Sequence, residues 1–135
     1  FDVVGNLARA KEAVDEFAKK NIPTSMFIDP DSSQLEASAK IGSQWVELHT
    51  GSFARAWHDV QKRDHELNVL KKGMEIGLSL GLQVNAGHGI NYDNIRQVKQ
   101  LPHLNELNIG HSIVSQSLFL GVEVAVKNML SLMRE

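Results

Sequence analysis

Two short apolar runs, LQVNAGHG at 82–89 and LNELNIGH at 104–111, each close on glycine and histidine. Such near-continuous runs, without strict alternation, are the pattern of parallel strands buried on both faces. At the carboxyl end of a parallel strand the chain must turn, and glycine there lets backbone come close to a ligand. Consecutive strands ending in Gly87-His88-Gly89 and Gly110-His111 would bring bare amides and imidazoles to one spot. The expectation is a phosphate pocket equipped for proton transfer.

The rest of the chain supports parallel strands. Asn6 caps a helical pattern carrying Leu7, Ala10, Val14, Phe17 and Ala18, with Asn21 as a left-handed stop. Pro23 opens a strand, TSMFID, ended by the turn Asp29-Pro30-Asp31. Ser33 with Glu36 predicts a capping box for a helix running to Ile41, closed by Gly42. A second strand follows from Gln44 to Gly51, then an ambiguous segment at 52–60 that reads as a short helix. A long helix from Gln61 to Leu80 repeats Leu67, Leu70, Met74 and Leu78. After the third strand, Leu82–Asn85, Asn91 or Asp93 caps a helix with Ile95 and Val98 that Pro102 blocks. The fourth strand reaches Ile109, and an apolar segment at 112–120, a break at Gly121 and a final helix with Val122, Val126, Met129 and Met133 complete the order. Trp45 and Trp57 are expected between helices and strands, and His58, His65 and His103 in solvent, as is the Arg55, Lys62, Arg63, Lys71, Lys72 face.

Alternation of this kind with short connections implies right-handed crossovers. An open doubly wound sheet would show a glycine-rich turn after its first strand, and FIDPDSSQ is not one. A (β/α)8 barrel places phosphate between the loops after its last strands and a short extra helix, which the 112–120 segment matches. The predicted fold class is therefore α/β, with residues 1–135 forming the C-terminal half, about four βα units, of one TIM (β/α)8 barrel domain. A start at Phe1, in mid-pattern, reads as a fragment or a processed product.

Net charge −2 argues against a nucleic-acid surface, and no basic run marks a membrane patch. The absence of cysteine excludes disulfides and thiolate metal sites and fits a reducing compartment. No apolar run approaches the roughly 18 residues of a spanning helix.

Glu47 and His49 lie two apart on one strand, so they share a face near its carboxyl end. They read either as chemistry or as a hydrogen-bonded Glu–His pair that fills the interior. His88, between glycines, suits proton donation or uptake rather than packing. Gly89 and Gly110 can offer N–H groups to an anion, the helix beginning near Ser112 adds its positive end, and His111 can pair with the same phosphate. A metal held by Glu47, His49, His88 and His111 is the alternative, but no HxxxH or HExxH spacing occurs.

These residues lie in stretches, MFIDPDSSQLEASAKIGSQWVELHTGSFA, LGLQVNAGHGINYDNI and LNELNIGHSIVSQSLFLGVEVAVKNM, that together closely resemble the pyridoxine 5′-phosphate synthase family of vitamin B6 biosynthesis over essentially the whole chain. The resemblance implies a barrel that condenses 3-amino-2-oxopropyl phosphate with 1-deoxy-D-xylulose 5-phosphate to pyridoxine 5′-phosphate, phosphate and water. It further implies a cytoplasmic homo-oligomer needing no metal or organic cofactor. By motif, His88 corresponds to the proton donor, Glu47 to the group stabilising the transition state, and Gly89, Gly110 and His111 to the aminooxopropyl phosphate site. The family's other half, with its proton acceptors and most contacts to deoxyxylulose phosphate, has no counterpart here, and Phe1–Gly5 resembles only the tail of a loop covering the occupied site. The 135 residues alone are thus expected to be inactive and, with two open strand edges, to self-associate. The competing readings are a non-catalytic phosphate-binding half-barrel and another phosphosugar enzyme. A Schiff-base aldolase is disfavoured because no predicted strand holds a lysine.

Overall fold

The computed structural model describes residues 1–134. Four strands, β1 (Ser25–Ile28), β2 (Trp45–His49), β3 (Gln83–Gly87) and β4 (Leu104–Asn108), form one all-parallel sheet in the order β1-β2-β3-β4. Around them run α1 (Leu7–Ala18), α2 (Ser32–Lys40), α3 (Gly51–Arg55), α4 (Val60–Ser79), α5 (Ile95–Val98), α6 (His111–Leu120) and α7 (Val122–Arg134). Strand order follows chain order throughout, without the reversal that defines a doubly wound sheet. No described helix is long and apolar enough to cross a membrane.

One sheet face carries the core. Ile28, Val46, Leu48, Val84 and Ala86 are buried with Leu35 of α2 and Leu70 and Met74 of α4. Removing each large aliphatic side chain from water is worth about 1.5–3 kcal/mol, so this layer dominates the fold. Two glycines let α4 lie close: a Cβ at Gly73 would sit 3.1 Å from Leu48 Cδ1, and one at Gly77 only 2.5 Å from Val84 Cγ2.

The opposite face differs from the sequence expectation of strands buried on both sides. It presents Ser25, Phe27, Trp45, Glu47, Gln83 and Asn105, all exposed or half-buried. Trp45 accordingly lies on this open face, its Nε1 donating to Gln83 Oε1 at 2.7 Å, rather than between helix and sheet. Trp57 does pack against the core, edge-on to Phe53 at 5.8 Å and beneath Arg63 at 5.4 Å. Along β4 the register passes from Val84↔Leu104 to Ala86↔Leu107, so β4 carries one extra residue. This bulge keeps Leu104 and Leu107 on the core side while Asn105 donates to Asn85 Oδ1 (2.9 Å) on the open side.

Element ends follow local chemistry, with three corrections, one being that Asn94, not Asn91 or Asp93, stands at the N-cap of α5 and makes no side-chain cap bond. Asn21 (φ 57°), Gly42 (φ 89°) and Gly81 (φ 77°) stop their helices in the left-handed region, as expected. The cap of α2 is Asp31, not Ser33: its carboxylate accepts from the N–H groups of Ser33 and Gln34, and from the Ser33 hydroxyl. Asp59 caps α4, accepting from Lys62 N at 3.2 Å. Asn6 makes no side-chain cap bond; it stands at the N-terminus of α1 while its amide donates to Asp2 O.

The Ser33 hydroxyl and the two amides hold the Asp31 carboxyl below its ordinary pKa. A depressed folded-state pKa adds stability above the unfolded value and loses it as pH falls through the folded one. Asp31→Ala is expected to cost about 1 kcal/mol in urea unfolding near neutrality, with the gap from wild type narrowing below about pH 4. Gly77→Ala should cost about 1–3 kcal/mol, because overpacking against the stiff Val84 side chain exceeds the gain in helix propensity. A more stable Gly77→Ala protein would refute this packing.

Candidate active site

The carboxyl ends of β2, β3 and β4 and the start of α6 enclose a cleft of about 560 Å³. Glu47, His88, Gly89, Gly110 and His111, the residues singled out by sequence, all line it. His88 and Gly110 therefore share one mouth. The cleft also takes Phe27 and Asn108, which the sequence reading did not select, and Ser112 at the expected helix start.

Glu47 is placed by its neighbours on β3 and β4. Its Oε2 accepts from Asn108 Nδ2 at 2.7 Å. Gly87 lies beneath the carboxylate, where a Cβ would meet Glu47 Oε1 at 2.0 Å and Asn108 O at 3.1 Å. Any side chain at 87 would expel the carboxylate, so here glycine is a matter of space.

His88 adopts φ 80°, a conformation rare for a residue with a side chain, and Gly89 follows at φ 76°. Such a backbone costs roughly 1–3 kcal/mol and persists only when surroundings enforce it. Thr50, fully buried, does so. Its N–H donates to Gly87 O at 2.8 Å, and its hydroxyl lies 2.8 Å from Gly87 O and 2.5 Å from His88 O. The imidazole is left exposed at the cleft. Gly89 is held by the buried Asn94, whose amide donates to its carbonyl at 3.0 Å, and a Cβ there would lie 2.6 Å from Ala54 Cβ of α3.

On the far side, Gly110 is the N-cap residue of α6, and the space where its Cβ would stand is open. The helix begins at His111, one residue earlier than expected, so the exposed His111 occupies its first turn. First-turn N–H groups have no partner within a helix and carry its positive end. Ser112 ties α6 to the loop after β3, its hydroxyl donating to Ile90 O at 2.8 Å. The site thus combines a carboxylate, an exposed imidazole, and a helix start facing a shared cleft.

Glu47 and His49 share the open face, as their spacing required, but they do not pair. His49 Nδ1 lies 3.0 Å from Asp29 Oδ1, and its ring sits 4.7 Å from that of His88. Among the described residues no three His, Asp or Glu side chains are grouped as metal ligands would be. Asn108, Thr50 and Asp29 escaped the sequence reading because their parts depend on strand register; the asparagines of LNELN were the available signal. Thr50→Val, which keeps the shape and removes the hydroxyl, should destabilise by about 1–3 kcal/mol by leaving the part-buried His88 O without its donor. Thr50→Ser should retain most of the stability, and equal unfolding midpoints for Thr50→Val and wild type would refute the role.

Residues 1–135 match the model of a family described as pyridoxal phosphate biosynthesis protein PdxJ. Among curated relatives, the pyridoxine 5′-phosphate synthase of Gloeothece citriformis is 48% identical over 134 residues, covering 99% of this chain and 55% of the relative. The protein of that name from Synechocystis is 49% identical over 130 residues, covering 96% and 53%. The one from Nostoc punctiforme is 45% identical over 134 residues, covering 99% and 55%. The chain therefore spans about half the length of the curated relatives it matches. With the whole of its length matched, the chain belongs to the PdxJ family of pyridoxal phosphate biosynthesis proteins.

Proposed function

We propose that these residues form the C-terminal half of a (β/α)8 barrel acting as a pyridoxine 5′-phosphate synthase. It would condense 3-amino-2-oxopropyl phosphate with 1-deoxy-D-xylulose 5-phosphate, in the cytoplasm and as a homo-oligomer. The observation that carries this reading is the meeting of His88 and the α6 start in one cleft. Sequential strand order and a single covered sheet face support a barrel segment, since a barrel curls one face inward and lays helices on the other.

The roles follow from chemistry. The phosphate of 3-amino-2-oxopropyl phosphate is held by the amides around Gly89 and Gly110 and by His111, with the helix end favouring the anion. Amine–ketone condensation followed by loss of water and phosphate requires protons on departing oxygens. His88, whose ring makes no hydrogen bond among the described residues and opens to the cleft, is the donor. Glu47, fixed by Asn108, stabilises positive charge developing at the condensing nitrogen. The remaining proton acceptors come from outside residues 1–135.

In the complete protein, His88→Gln is expected to lower kcat about 10²–10⁴-fold, the usual contribution of a positioned acid, with KM little changed. His111→Ala should instead raise KM for aminooxopropyl phosphate. Unchanged kcat in His88→Gln would overturn the assignment. Turnover by residues 1–135 alone would overturn the need for a complementing half. Phosphate binding without turnover by the complete protein would favour a binding module.

A further inference from the structure

The ring of His88 makes no hydrogen bond among the described residues, although its backbone is tightly held. Its orientation must come from what it touches. Those contacts are aromatic: His49 at 4.7 Å, tilted 57°, and Phe27 at 6.4 Å, tilted 43°. Phe27 also meets His49 edge-on at 5.3 Å. Beneath both imidazoles lies Gly51, where a Cβ would come within 2.5 Å of His49 Nε2 and 3.1 Å of His88 Cδ2. The two rings are thus packed over a bare patch of backbone.

His49 is itself fixed from its other edge by Asp29, 3.0 Å from Nδ1. An ionised carboxylate only accepts, so Nδ1 carries the hydrogen and Nε2, in the neutral ring, is the free acceptor. The Asp29 side chain is 76% exposed and that of His49 23%. A pair so open to water adds little stability. Its effect is directional, because a hydrogen bond to one nitrogen fixes both tautomer and ring plane.

We propose that Asp29 and His49 are positioning residues: Asp29 orients His49, and His49 packed over Gly51 holds the His88 ring at the cleft. This rests on the reading of His88 as proton donor only for its kinetic consequence; the contact itself stands on the geometry above. A donor delivers its proton only when its ring is held within roughly 10–20° of the productive orientation. A histidine between two glycines has no such restraint of its own.

The test uses the complete protein with ¹⁵N-labelled histidine rings, His88 being assigned by the signals lost in His88→Gln. His49→Ala is expected to move the His88 ring resonances and to lower kcat about ten- to a hundredfold, the scale of a misplaced group, with KM within about twofold. Asp29→Asn preserves shape and should act in the same direction, more weakly, at unchanged thermal stability. On the His88→Gln background His49→Ala should cost nothing further, since residues acting through one another are not additive. His88 resonances that stay in place in both single variants overturn the proposal, even where kcat falls. Were His88→Gln itself fully active, the proton-donor reading would fail, yet the ring resonances would still decide whether His49 positions His88.

Discussion

The placement of the cleft depends on how closely α4 approaches the sheet. Gly73 and Gly77 let the helix backbone settle over Leu48 and Val84, and the seal commits those residues to the covered face. Strand side chains alternate, so burying Val46 and Leu48 leaves Glu47 and His49 no choice but the open face. The same parity on β3 sends Val84 and Ala86 inward to the helices and puts Gly87 under the Glu47 carboxylate. A slip of one residue would bury the acid and expose the core. Packing far from the cleft thereby decides which groups can reach it.

Much of this was legible in the letters, for a physical reason. Helix stops at Asn21, Gly42 and Gly81 are local events, decided by which residues tolerate a left-handed backbone. Glycine–histidine strand ends were legible too, because glycine at a turn beside an ionisable residue has few other uses. Competition between near neighbours was harder. Asp31 and Ser33 both suit a cap, and the carboxylate prevails because it accepts from two amides while Ser33 donates to it. The bulge at Asn105–Glu106 left no mark of its own, since strict alternation and a bulged strand are both compatible with LNELN. Partners across the sheet, such as Asn108 for Glu47 and Asp29 for His49, exist only once register is set.

Backbone strain at the cleft is concentrated at His88. Among the described residues, His88 is the only non-glycine one of the cleft lining with positive φ. The buried Thr50 holds it through the carbonyls on either side of its peptide. Local distortion of this kind is sustained by a scaffold with stability to spare. Here the scaffold is the β2–β3 pairing, which continues directly into Thr50 through its bond to Gly87 O.

The open face is largely polar, and several of its polar groups bond one another within the chain. Trp45 bonds Gln83, Asn105 bonds Asn85, and Asn108 bonds Glu47, giving a ladder of side-chain bonds across β2, β3 and β4. A face meant to be sealed by apolar packing would hold aliphatic residues there instead. Side-chain bonds already made lower the cost of enclosing such a face, since fewer polar groups then need new partners when water leaves. At the cleft, Glu47 takes its orientation from Asn108 and the His88 backbone from Thr50; beside it, His49 takes its orientation from Asp29. Under the barrel reading, strands closing over this face would add reacting groups to a half-site already arranged, rather than having to arrange it.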